Sequence, residues 1–349
     1  MTAREGLYKE IFRVLVGTDI DESDPILHHL ATFTTFLCEG TEAHLTRLSD
    51  ALANADIKPE AKEQAVRRFL SSPKISAGQT LDSRIALALP VLVRQKEIII
   101  TLDRTEWEKR KQKVQILSAS AAMYGRAIPL FWKTANRKGS TSFATWQEVL
   151  LPLIEAFTRF DDLHNHRIIV VADREFASPR LIHWLWDTFG IYAVVRCKRS
   201  QYIQEEDAPS EQLSEVLKRI KRGETQFFPS VVLTKAATSP LAVCITWRKD
   251  CEEPLIAATS LENPKDTLAS YKQRFGTEPM YKDLKSNGFD LETTKVTDAK
   301  RMDTLMILCA FAMILLFTLG VDREEQQQSR TTIKKRRHHG HQETTRRFS

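Results

Sequence analysis

The sequence is short of the features that would place it outside the cell or within a membrane. Its five cysteines (Cys38, Cys197, Cys244, Cys251 and Cys309) stand far apart with no CxxC pair. That excludes a disulfide framework and fits reduced thiols in a cytoplasmic protein. The opening residues, MTAREGLYKEIFRVLVGTD, lack the apolar stretch and small-residue cleavage site of a secretory leader. Long apolar runs are scarce too. The one candidate, Leu305 to Val321 (LMILCAFAMILLFTLGV), sits at the short margin for a bilayer span and follows Asp298, Lys300, Arg301 and Asp303. It reads as a buried core helix. Surplus charge is missing from most of the chain: of the net +6, the last twenty residues, Arg330 to Ser349, supply all, with seven Lys/Arg and one acid. Any basic surface on the body must therefore come from local clustering.

The 349 residues, 42% hydrophobic and 28% charged, suit a globular protein of two or three folding units. Residues 1–95 are predicted to form a small helical domain. PILHHLATFTTFL, EAHLTRLSDALANA, KPEAKEQAVRRFLS and TLDSRIALALPVLVRQ all space their apolar residues by three or four. Over 96–199 the period changes. EIIITLD, VQILSASAAMY and RAIPLFWKT read as strands, with Gly125 marking a hairpin turn between the last two. A helix over Thr145–Phe160, a strand HRIIVVAD, a short helix SPRLIHWLWDTFG and a strand IYAVVRCK follow. The order β-β-β-α-β-α-β predicts a mixed α/β sheet that begins as a meander. Residues 200–262 hold three more strand candidates, read as a β-rich insertion, and 263–322 hold a helix and the apolar helix. The basic tail, 323–349, reads as disordered.

Two aspartates close two apolar strands: Asp103 in LDRTEW and Asp173 in VADREF. At the carboxyl ends of strands in an open α/β sheet, such groups point into the crevice where ligands bind. Taken singly, a strand-end aspartate is more often a turn or cap residue. With a glutamate from a later helix, the pair supplies the hard oxygen ligands that divalent ions prefer. The stretch YKQRFGTEPMYKDLK places Tyr271, Arg274, Glu278 and Lys285 at offsets of three, seven and fourteen residues. On a regular helix those offsets fall within a stripe about 60° wide. A solvated face with an Arg274/Glu278 ion pair would explain the same spacing. Pro279 is a difficulty for a helix there, and a kink or a restart at Pro279 is the expected remedy.

These residues resemble the DDE transposases of bacterial insertion sequences, specifically the IS-four family. Tyr271, Arg274, Glu278 and Lys285 match its Tyr-x2-Arg-x3-Glu-x6-Lys signature at each position, and LDRTEW and VADREF resemble its two aspartate motifs. The resemblance covers roughly residues 95 to 320 and implies an RNase H-like catalytic core. It implies that Asp103, Asp173 and Glu278 are catalytic and hold two Mg²⁺ or Mn²⁺ ions. It implies DNA as partner, with Tyr271, Arg274 and Lys285 on the phosphates of the transposon end, and a homodimer assembled on two ends in the cytoplasm, at the nucleoid. Arg196, Lys198 and Arg199, leaving the last core strand, are further candidates for DNA contact; Lys109, Arg110, Lys111 and Lys113 are equally well read as a solvated loop. A catalytically inactive DNA-binding remnant and a structure-specific nuclease on the same fold are the alternatives.

Overall fold

The computed structural model describes residues 2–16, 24–52, 57–109, 112–234 and 239–346, with side chains as far as Gln327. Five helices open it: α1 (Ala3–Leu15), α2 (Pro25–Cys38), α3 (Leu45–Asp50), α4 (Pro59–Leu70) and α5 (Leu81–Leu92). Local chemistry sets their starts. Thr2 and Glu5 form a reciprocal capping box on α1, and Asp24 caps α2 with Pro25 in its first turn.

The meander follows as β1 (Glu97–Lys109), β2 (Gln112–Met123) and β3 (Arg126–Ala135). Tyr124 and Gly125, both at positive φ, make the two-residue turn between β2 and β3. Next come α6 (Phe143–Phe157), β4 (Arg167–Ala172), α7 (Pro179–Phe189) and β5 (Tyr192–Arg196). Gly190, at φ 65°, closes α7 in the left-handed conformation. This is the element order that the sequence predicts.

The segment read as a β-rich insertion contributes β6 (Tyr202–Gln204), β7 (Glu211–Gln212), α8 (Leu213–Val216), β8 (Thr225–Leu233), β9 (Leu241–Thr246) and β10 (Leu255–Thr259). Its strands do not form a separate sheet. They extend the first one into ten strands, in the order β3-β2-β1-β4-β5-β10-β9-β8-β6-β7. Among the described strands, β1–β4 and β4–β5 pair in parallel and the other pairs are antiparallel.

After β10 the described chain is mostly helical, with turns over 288–298. α9 (Pro264–Gln273), capped by the Asn263 side chain, tightens to a 3-10 turn at Arg274–Gly276. It re-forms as α10 (Thr277–Lys282), then widens to a π turn at Asp283–Asn287. The pitch thus changes ahead of Pro279, which sits within the first turn of α10, where proline is tolerated. These changes also undo the single stripe expected for the four signature residues. Tyr271 and Arg274 are buried, Lys285 is half-buried and Glu278 is exposed.

The last helix, α11 (Ala299–Arg346), continues through most of the tail that the composition assigned to disorder. Its apolar part is core, as expected: Met302, Leu305 to Ala312 and Ile314 have no exposed surface. It packs against α2, α4, α5 and β3. One hydrophobic cluster runs from Ile11 to Val321 and joins the opening helices to the sheet. The five cysteines are free.

Gly276 explains the change of pitch. A Cβ there would lie 2.7 Å from the carbonyl carbon of Arg126 and 2.8 Å from its oxygen. Backbone meets backbone at the start of β3, and only glycine permits it. Gly276→Ala is expected to destabilise the protein by about 1–3 kcal/mol through overpacking, read as a lower urea midpoint. An unchanged midpoint would show that the contact is slack.

Candidate active site

The two aspartates are brought together by strand register. The parallel ladder of β1 with β4 ends at Leu102 opposite Ala172, so Asp103 and Asp173 are the next residue on each strand. Asp173 does close its strand. Asp103 does not: β1 runs on to Lys109, paired only with β2, with Asp103 opposite Ser118. The polar run RTEWEK alternates inward Thr105 and Trp107 with Arg104, Glu106 and Glu108 on the other face, which is a strand pattern.

Asp103 is half-buried, its side chain 18% exposed. Its Oδ1 accepts the Arg104 backbone N–H at 2.8 Å, and its Oδ2 accepts the Thr277 hydroxyl at 2.8 Å and Arg274 Nη1 at 3.3 Å. Burial raises its pKa, and the nearby Asp173 adds to this; the donated hydrogen bonds and Arg274 oppose them. Asp173 Oδ1 is buried without a hydrogen-bond partner, with Arg196 Nη1 3.6 Å away.

Arg274 is the hub. Its Nη2 lies 3.8 Å from Glu278 Oε1, so one guanidinium joins Asp103 to the glutamate. Burial works against its charge, yet Tyr271, Asp103 and Asp173 together hold its pKa above the ordinary value. The Glu278 side chain is 67% exposed. Among the described residues no three His, Cys, Asp or Glu side chains converge into a ready-made metal cage.

The other predicted residues divide into two groups. Tyr271 is 3% exposed, its hydroxyl is buried without a hydrogen-bond partner, and burial raises its pKa. Lys285 donates from Nζ to the Glu106 carbonyl at 3.2 Å, beside the Trp107 ring. Lys198 and Arg199 are exposed, and Glu253 bridges Arg196 and Arg199 at 3.7 and 3.5 Å. Arg110, Lys111 and the Lys109 side chain lie outside the described residues; Lys113 is exposed.

Three features escaped the sequence reading. Thr277, the donor to Asp103, follows Arg274 by three residues, a helical spacing that could have flagged it. Tyr281, half-buried, pairs its hydroxyl at 2.8 Å with Ser118, the residue opposite Asp103 on β2. Arg104 and Glu175 form an ion pair between the two aspartate motifs.

The raised pKa of Asp103 has a definite sign for stability. Between the ordinary carboxylate value and the raised one, the unfolded chain has lost its proton while the folded chain keeps it, so this group's contribution falls as pH rises. Above the raised value the deficit is constant. Asp103→Asn removes it, so in metal-free protein the melting temperature of the variant relative to wild type should be higher at pH 7 than at acid pH. The advantage should shrink as pH falls below the raised value. A gain that is the same at pH 3 as at pH 7 would rule out ionisation of Asp103 as its source.

Residues 94–315, more than half of the chain, match the family model described as the transposase DDE domain. No curated protein matches. Among solved structures, endonuclease V from Bacillus subtilis aligns over 64% of this chain and 85% of its own, at 11% identity and a TM-score of 0.25. That likeness carries no argument. The family match takes in the whole meander, both aspartates and the Arg274–Glu278 helix, and by it the chain belongs to the DDE transposase family.

Proposed function

We propose that the protein is a transposase of the IS-four type, which cuts and joins DNA at the ends of its own insertion sequence in a reaction dependent on Mg²⁺ or Mn²⁺. One observation carries this reading. Asp103 and Asp173 stand on adjacent strands at the point where their ladder ends, with Arg274 tying Asp103 to Glu278. The strand order β3-β2-β1-β4-β5 supports an RNase H-like core over 96–199, completed by 263–322, into whose sheet the 200–262 strands have been added.

The donor set fits divalent ions. Carboxylate oxygens are the hard ligands they take, and Asp173 Oδ1 is a buried oxygen with no partner, which a cation would satisfy. Asp103 and Asp173 would hold the ions, with Glu278 kept beside them by Arg274. When bound, two ions supply Lewis acidity to the phosphodiester and favour the attacking oxygen. Everything else falls to the chain. Thr277 and Arg274 orient the Asp103 carboxylate, and Tyr271 supports Arg274. Lys285 secures the continuation of β1. Arg196, Lys198 and Arg199, at the end of β5, offer positive charge to DNA phosphates.

In this reading water first opens the phosphodiester at the transposon end, and the freed 3′-hydroxyl then attacks a second phosphodiester, each step exchanging one P–O bond for another. Helices α1 to α5 would contribute to end recognition. A homodimer follows from the need to hold two ends.

The test is incubation with Mg²⁺ and a labelled duplex carrying the element's terminal repeats, beside an Asp173→Ala variant. Cleavage with joined products, reduced by at least about 10³-fold in the variant, is expected. Cleavage without joining would point to a nuclease on the same fold. DNA binding by both forms with cutting by neither would point to an inactive remnant.

A further inference from the structure

We infer that Arg104 and Glu175 form a positioning latch that sets the spacing of Asp103 and Asp173 beyond the end of their ladder. The inference rests on the metal-binding role proposed for those aspartates. Arg104 directly follows Asp103, and Glu175 lies two residues past Asp173. Between Glu97 and Leu102 on one side, and Arg167 and Ala172 on the other, backbone hydrogen bonds fix the two strands. From the aspartates onward there is no such ladder between them. β1 continues along β2, while the chain after Asp173 turns into a 3-10 helix over Arg174–Phe176.

The latch spans that gap. Arg104 Nε donates to both carboxylate oxygens of Glu175, at 2.7 and 2.8 Å. Both side chains are mostly enclosed, at 17% and 23% exposure, so solvent screens the pair less than a surface ion pair. Each partner is also braced on its own side. Arg104 Nη1 donates to Glu106 at 2.5 Å. Phe176, next to Glu175, is fully buried against Trp146, whose indole N–H donates to the Thr141 hydroxyl. Thr141 in turn donates from its backbone N–H and its hydroxyl to Glu175, at 3.4 Å each.

A second role for Arg104, direct contact with a DNA phosphate, fits less well. Its guanidinium is already engaged by two carboxylates and turned away from solvent. The exposed Arg174 next to Asp173 is the better placed of the two for that purpose.

The consequence is specific. Removing either partner should loosen the spacing of two metal-holding carboxylates without touching either one. The test uses the full-length protein and Mn²⁺ alone, titrated without DNA and followed by water proton relaxation, then single-turnover cleavage and metal-free gel shifts. Arg104→Met and Glu175→Met should each weaken Mn²⁺ binding about tenfold and slow cleavage by roughly 10–100-fold. DNA affinity without metal should stay within about twofold, and the Arg104→Met/Glu175→Met double variant should be no worse than the poorer single, because the pair acts as a unit. Two results overturn the latch: a double-variant loss equal to the product of the singles, or a loss of DNA affinity in Arg104→Met alone. If the methionine variants do not fold, Glu175→Gln and Arg104→Lys, which keep a hydrogen bond, should show smaller shifts in the same direction, and wild-type Mn²⁺ affinity in both would overturn it. An Asp173→Ala control separates the two levels. Wild-type Mn²⁺ binding that is absent, or unmoved by Asp173→Ala, overturns the metal reading and the latch together. Binding lost in Asp173→Ala but kept in both methionine variants overturns the latch alone.

Discussion

The parallel pairing of β1 with β4 is the constraint on which the site depends. Six residue pairs hold the two strands in register, and Ile98 to Leu102 and Ile169 to Ala172 are buried. Buried strands of this kind cannot slip by one residue without turning apolar side chains out of the core. The ladder thereby sets which residues come first past its end, and both are aspartates. Two carboxylates that close repel each other, and more strongly in a poorly solvated place. The surrounding contacts answer that repulsion from opposite sides, with Thr277 and Arg274 on Asp103 and Arg196 near Asp173.

A second set of buried charges joins the opening helices to the sheet. Arg84, on α5, has no exposed surface. It donates to the Leu130 carbonyl at 2.9 Å, and to the Thr80 hydroxyl and the Ala77 carbonyl at 2.5 Å each, with its guanidinium 4.6 Å from the centre of the Trp132 ring. Trp132 donates to Asp303 on α11 at 2.8 Å. Burial draws the pKa of Arg84 down to about 9, so it remains charged at neutral pH. An enclosed cation is tolerated only when its donors are met, and here three acceptors and an aromatic face meet them. α5, β3 and α11 are thereby held at one point.

Much of this was legible in the chain because it is written in local patterns. Alternating and continuous apolar runs revealed β1 to β5, and the spacing of Tyr271, Arg274, Glu278 and Lys285 singled out the helical stretch that approaches Asp103. The parts that were not legible are set by distant partners. Nothing in the neighbourhood of Gly276 in the sequence foretells the approach of the Arg126 backbone. The strands of 200–262 were visible as strands, but their place beside β5 depends on pairings between β10 and β5 that no local pattern encodes. Tyr271 carries a polar group at a signature position, and no local pattern foretells that it is buried. The continuation of β1 past Asp103 was present in the alternation of Thr105 and Trp107, masked by the charged residues between them.

The placement of α11 bears on the order in which the molecule can be made. Helices α2, α4 and α5 and strand β3 all rest on a segment that leaves the ribosome well after they do. Thr304 donates to the Leu70 carbonyl at 3.1 Å and Arg301 to the Ser71 hydroxyl at 2.8 Å, so even the polar seams wait for it. Contacts so far apart in sequence close slowly. Until α11 arrives, the apolar faces of α2, α4 and α5 that it packs against lack that cover. A chain cut short before residue 299 would hold both aspartates and the glutamate, yet would lack the helix that completes its core.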